Sequence, residues 1–193
     1  MSQSDFIEAC ADGQFEDVKF LASFDCVNPA ASGNNAIRCA SSNGHLEVVK
    51  FLTSLKCVNP AASDNFAIRW ASINGHLEVV KFLASLKCVN PAANDNEAIL
   101  WASSNGHLKV VKFLASLDCV DPAACDKAIR WASKNGHLKV VKFLASLSCT
   151  NLYANNNQAI LTFPPKYCCS IGFSIKTSKF KTLSQIEQKI FEL

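Results

Sequence analysis

The segment Asn74-Gly75-His76-Leu77-Glu78-Val79-Val80-Lys81-Phe82-Leu83 constrains this chain more than any other, because close copies of it begin at Asn43, Asn105 and Asn135. A looser copy runs from Gly13 to Leu21. The copies place a glycine at 13, 44, 75, 106 and 136, so a unit of 31 residues, once 30, recurs through most of the 193-residue chain. Such a period marks a solenoid, in which each unit touches only its neighbours and none can bury its apolar face alone.

Each unit reads as helix, turn, helix, loop. Asn28-Pro29, Asn59-Pro60, Asn90-Pro91 and Asp121-Pro122 mark one turn four times; an Asx side chain folds back on its own backbone there, and proline presets φ. Ser63-Asp64-Asn65 and its equivalents are candidate N-caps for a first helix over Phe66 to Ile73. In the second helix Glu78, Lys81 and Ser85 form one polar ridge, while Leu77, Val79, Val80, Phe82, Leu83 and Leu86 are apolar. So wide an apolar face belongs to a helix packed on its partner and on neighbours at both sides. Ser4 is the expected cap of a first helix from Asp5 to Ala11, and residues 1–27 read as a more polar capping repeat.

The array is expected over residues 28–161. The last repeat breaks after Leu161, where Thr162-Phe163-Pro164-Pro165 replaces the helix. Residues 162–193 form a divergent tail. Phe180, Leu183, Ile186 and Ile190 have helical spacing, so 179–191 is either a capping helix or part of a poorly ordered tail left by a truncated or frame-shifted repeat.

Gly-His-Leu-Glu-Val-Val-Lys-Phe-Leu after a short Ala-containing helix resembles the ankyrin repeat, over residues 1 to about 161. The Ala-Ile-Arg-Trp-Ala-Ser dialect is similar to ankyrin arrays of amoebae and of the large DNA viruses that infect them. The resemblance implies an all-α ankyrin-type solenoid with short loops, first helices on a concave side, projecting loops, and protein binding as the activity. Two departures stand out. The family's Thr-Pro-Leu-His opening is replaced by Asn35-Ala36-Ile37-Arg38, Phe66-Ala67-Ile68-Arg69, Glu97-Ala98-Ile99-Leu100 and Lys127-Ala128-Ile129-Arg130, which leaves its hydrogen bonding between repeats open. The loop lacks the usual glycine after the second helix and is about two residues short, which leaves β-hairpin fingers open as well.

Composition excludes little: 49% hydrophobic and 18% charged residues suit a globular chain. The charge distribution says more. Residues 1–97 carry 7 Lys/Arg against 11 Asp/Glu, net −4, and residues 98–193 carry 12 against 5, net +7. Lys109, Lys112, Lys134, Lys139 and Lys142 make a basic stripe that favours an acidic partner. The N-terminus lacks a basic segment followed by an apolar run, and no stretch reaches the ~18 apolar residues of a membrane span. A soluble, intracellular, cytoplasmic protein is the expectation, in the host cytoplasm if the source is viral.

Cys26, Cys57, Cys88, Cys119 and Cys149 hold one repeat position. Equivalent positions in stacked repeats lie ~8–10 Å apart, beyond the ~7 Å a disulfide tolerates, so these cysteines are expected as small buried hydrophobes in a reducing compartment. His45, His76, His107 and His137 follow the turn glycine; residues one repeat apart cannot converge on a metal ion, so they read as helix-start residues rather than ligands. Cys168-Cys169 lacks a further ligand set. No phosphate loop, nucleophile elbow or paired-carboxylate site is present, and near-identical units lack one asymmetric pocket. No catalytic residue, cofactor, metal or small-molecule substrate is expected.

Function is therefore sought where residues vary within a fixed frame. Trp70, Trp101 and Trp131 share one first-helix position, beside Arg38, Arg69 and Arg130; the preceding loop boundary varies as Asn35, Phe66, Glu97 and Lys127. Aromatic and arginine side chains combine large contact area with directed polar groups. These ten positions are the candidate partner-binding set, weighed against a structural reading in which tryptophan packs between repeats and arginine bonds to neighbouring loops. A monomeric adaptor, scaffold or decoy with an unidentified protein partner is the leading expectation. Electrostatic binding of nucleic acid or an anionic surface by the basic half is the alternative, and a decayed paralogue without a selected partner is a third.

Overall fold

The computed structural model describes residues 2–147. Ten helices, and no strand, are found among the described residues: α1 (Gln3–Asp12), α2 (Phe15–Leu21), α3 (Ala31–Ser42), α4 (Leu46–Ser54), α5 (Ala62–Ile73), α6 (Leu77–Ala84), α7 (Ala93–Ser104), α8 (Leu108–Leu114), α9 (Pro122–Lys134) and α10 (Leu138–Leu147). The all-α solenoid is borne out, and its loops are short turns. The tail at 162–193, the helix at 179–191 and Cys168-Cys169 lie outside the described residues.

Odd-numbered helices pack one on the next in a first layer, and even-numbered helices form a second. The core repeats with the sequence. Ile37, Ile68, Ile99 and Ile129 from the first layer meet Leu52, Leu83, Leu114 and Leu144 from the second, each at most 1% exposed. Small Ala40, Ala71, Ala102 and Ala132 let the helices approach closely and are fully buried.

Each first helix ends in a left-handed cap. In α3 the Gly44 N–H donates to the Ser41 carbonyl (3.3 Å) and the His45 N–H to the Ala40 carbonyl (3.0 Å), the paired bonds of a Schellman ending. Gly44 has φ +84°.

Three expectations are corrected here. The cap of α1 is Ser2, not Ser4: Ser2 Oγ accepts from the Asp5 N–H (3.3 Å), and Asp5 Oδ2 accepts from the Ser2 N–H (2.7 Å). Only Ser2 has a carboxylate three residues on to complete this reciprocal box.

Ser63-Asp64-Asn65 does not cap the first helix. These residues are left-handed, with φ of 53°, 55° and 60°, as are 32–34 and 94–96, whereas an N-cap needs extended backbone. The excursion explains the Ser, Gly, Asn and Asp found there, since short polar side chains and glycine tolerate this region best. Its side chains act between repeats. Asn34 Oδ1 accepts the Asn59 N–H (2.7 Å), Asn65 Oδ1 the Asn90 N–H (2.8 Å) and Asn96 Oδ1 the Asp121 N–H (3.2 Å). Asn59 Oδ1 in turn accepts from the Ala61 N–H (3.0 Å), the expected Asx turn. The repeat of 30 residues lacks one residue here, and no residue from Ala124 to Lys127 is left-handed.

Four of the five repeating cysteines are exposed, not buried: Cys26, Cys57, Cys88 and Cys119 all face solvent as free thiols, and Cys149 lies outside the described residues. The turn after each second helix has room for one inward side chain, and the next residue takes it: Val27, Val58, Val89 and Val120 are buried. Cys10 and Cys125 are the buried thiols among the described residues. Burial pushes the Cys10 thiol up to about 12, with Cys39 adding to the rise. It also raises that of Cys125, beside Asp126 and Asp121.

Candidate binding face

In each first helix the positions at i, i+3, i+4 and i+7 share one side: 35, 38, 39 and 42, then 66, 69, 70 and 73, with the later repeats in step. The opposite side carries the buried Ala-Ile and Ala-Ser pairs, so burial of one stripe aims the other outward. This outward stripe holds the recurring tryptophans, while the recurring phenylalanines Phe51, Phe82, Phe113 and Phe143 sit half-buried on the second helices. Trp70 and Trp101 are 38% exposed and Trp131 46%.

Arginines of one repeat reach the loop boundary of the next. The Arg38 guanidinium lies 4.0 Å above the Phe66 ring centroid, and Phe66 stacks on Trp70 at 5.1 Å with 19° between the planes. One repeat on, Arg69 forms an ion pair with Glu97 at 2.6 Å and donates to the Asp64 carbonyl at 3.2 Å. This pair is partly shielded, with side-chain exposures of 17% and 30%, so it is screened less by salt than a surface pair. Trp101 meets Trp131 edge to face, 5.5 Å between centroids. Cys39 Sγ lies 3.7 Å from Asn35 Oδ1, and with Arg38, Phe66 and Trp70 these line a shallow groove of about 260 Å³.

The ten candidate residues thus share the outward side of the first helices, but not as ten equivalent contacts. Phe66 and Glu97 are tied to the arginines of the preceding repeat, while Lys127, Arg130 and Trp131 stand exposed at the C-terminal end. The pairing had a signal in the sequence: Arg38 and Phe66, like Arg69 and Glu97, are 28 residues apart, so what varies at the loop boundary varies against a fixed cation. Sequence reasoning left Lys134 out of this set, although it continues the Lys127–Arg130 face of α9.

The histidines lie on the turn side. Nε2 of His45, His76 and His107 faces the carbonyls of Ala11, Ser42 and Ile73 at 2.8, 2.9 and 2.8 Å. Asn43, Asn74 and Asn105 donate to the same three carbonyls. The Asn-Gly-His triplet is therefore a bracket between repeats, and the histidine Nε2 atoms are spent on it. Among the described residues no cluster of three or more His, Cys, Asp or Glu side chains could hold a metal ion, and no helix is long and apolar enough to cross a membrane.

Stacked helical pairs joined by left-handed turns define the class of repeat solenoids. The family model for ankyrin repeats, in three copies, matches residues 6–95 and 68–158, and the chain belongs to that family. Ankyrin repeats are generally protein-interaction modules and typically not enzymes. No curated protein matches this chain.

Proposed function

We propose that this chain is a non-catalytic protein-binding module, an adaptor, scaffold or decoy that takes a protein partner across the first-helix face and its loop boundaries. The observation that carries the reading is the exposed row of Trp70, Trp101 and Trp131 beside Arg38, Arg69 and Arg130. The other repeated large apolar positions are buried or half-buried against the core except at the ends of the described residues, where Phe20 and Leu147 are exposed. Tryptophan and arginine are the residues that dominate binding energy at protein interfaces. The reading includes a monomer of three parts, the cap at 1–27, the array at 28–161 and the tail at 162–193, acting in the cytoplasm, the host's if the gene is viral. The Ala-Ile-Arg-Trp-Ala-Ser dialect supports an amoebal or viral source.

The test is affinity capture from cytosol with the full chain and with a Trp70→Ala, Trp101→Ala, Trp131→Ala variant, both shown helical by circular dichroism. Proteins retained by the first and lost from the second support the reading. Recovery of nothing beyond a bare-resin control overturns it.

A second reading, binding of nucleic acid, is favoured by Lys109, Lys112, Lys134, Lys139 and Lys142, all exposed. Salt separates the two. Phosphate binding weakens steeply, with log K falling in proportion to log salt, whereas a packed interface loses little.

A further inference from the structure

We propose that recognition on this face centres on the Trp101–Trp131 pair and the Lys127–Arg130–Lys134 ridge of α9, and that the partner presents an acidic segment with an apolar side chain between its carboxylates. The proposal rests on the reading that the face binds protein.

Position by position, the arginines of the N-terminal part of the strip are engaged by a neighbouring repeat, although Nε of both Arg38 and Arg69 is buried without a hydrogen-bond partner. Arg38 is covered by the Phe66 ring, and Glu97 neutralises Arg69. The equivalent place one repeat on holds Leu100, opposite Lys127, so no internal pair forms there. On α9, Lys127, Arg130 and Lys134 follow one another at i, i+3 and i+7, which lines them along one side of the helix. All three are exposed, and none forms an ion pair among the described residues. Asp126 lies one turn before Arg130 but makes no ion pair with it. Three cations without an ion pair among the described residues thus flank Trp131, the most exposed of the tryptophans, whose ring abuts Trp101.

Charge chooses the occupant. Residues 148–193 carry five lysines against two glutamates, the same sign as the ridge, so the chain's own C-terminal segment is not its complement. Single-stranded nucleic acid needs aromatic faces free for successive bases to stack on; here the two indoles meet at 61°, each engaging the other. An acidic peptide fits both features: carboxylates pair with guanidinium and ammonium groups, and an apolar side chain covers the exposed indoles.

The experiment selects a random-peptide display library on the immobilised full chain, then repeats the selection on Lys127→Glu, Arg130→Glu and on Trp131→Ala. The expected result is enrichment of Asp/Glu around one aromatic or aliphatic residue. Charge reversal should turn the consensus basic, and Trp131→Ala should weaken the selected acidic peptides by about tenfold or more, the scale of a hot-spot aromatic. Because these side chains are exposed, circular dichroism of the variants should match the parent. Enriched peptides that are neutral or basic, or that depend on Arg38 and Trp70 instead, overturn this proposal while leaving protein binding by the face intact. No enrichment overturns both. Displacement of the acidic peptides by a single-stranded oligonucleotide, or by a second copy of the chain, overturns the acidic-partner assignment.

Discussion

The imidazole of His76 lies against Gly44 of the preceding repeat so closely that any side chain on Gly44 would run into the Nδ1 edge of the ring. The same contact recurs one repeat on, between His107 and Gly75. Glycine is required at this turn twice over, once for its left-handed backbone and once for the space the next histidine fills. Gly136 separates the two demands: its φ is +78°, yet among the described residues nothing lies within 4 Å of the place a Cβ would take.

Gly136→Ala should therefore cost only the left-handed conformation, about 1–2 kcal/mol. Gly44→Ala adds overpacking of about 1–3 kcal/mol. Urea unfolding of the two variants measures the difference, and equal losses would show that the histidine yields freely.

Asn74 and His76 both reach the Ser42 carbonyl, at 2.7 and 2.9 Å. His76→Ala leaves that carbonyl one partner and should cost about 0.5–1.5 kcal/mol, as should Asn74→Ala. Together they orphan it, so the double variant should lose more than the sum. A double-mutant cycle in urea gives the coupling; strict additivity would mean that the two bonds do not share an acceptor in solution.

The second-layer leucines carry the heaviest packing. Leu83 is fully buried between neighbouring repeats, so Leu83→Ala should lower stability by about 2–5 kcal/mol. A loss under 1 kcal/mol would contradict its burial.

Thiol chemistry should sort the cysteines into two groups. Cys26, Cys57, Cys88 and Cys119 are exposed, and iodoacetamide should modify them in the native state. Cys10, pushed up to about 12 by burial, and Cys125 should react only on unfolding. Because the raised Cys10 value exceeds its usual 9.0, its share of stability is complete below pH 9 and declines as pH rises from there toward 12. Peptide mapping after brief labelling reads the order of modification.

Acid should open the cap of α1. The Ser2 side chain and backbone hold the Asp5 carboxyl below its usual 3.8. The cap it forms is intact above that value and is lost as pH falls through the lowered one. Hydrogen exchange at the α1 amides should rise in that window in the parent and be insensitive to it in Asp5→Asn.

Much of the fold was legible in the residues because a solenoid repeats local information. The glycine register, the Asx-Pro turn and the apolar face of Leu77 to Leu86 each follow from short-range preferences, and the same answer recurs every unit. The sequence also identified the strip that holds Trp70, Trp101 and Trp131, because helical periodicity fixes which residues share a side. What failed were positions where composition resembled one device while the backbone used another. Asn65 looked like a helix cap and is a left-handed bracket to Asn90. Cys57 looked like a core residue and is exposed, because Val58 takes the single inward place.

The sequence by itself determined the period, the helix pairs and the outward stripe, since all three depend on spacing along one chain. Only the tertiary structure decided which polar groups are spent inside the stack and which are left over. Stacking sets Arg38 on Phe66, Arg69 on Glu97 and His76 on Gly44, contacts between residues about 30 apart that exist only once the repeats are packed. What packing leaves unneutralised among the described residues, Lys127, Arg130 and Lys134 beside Trp131, is a remainder that no local pattern shows.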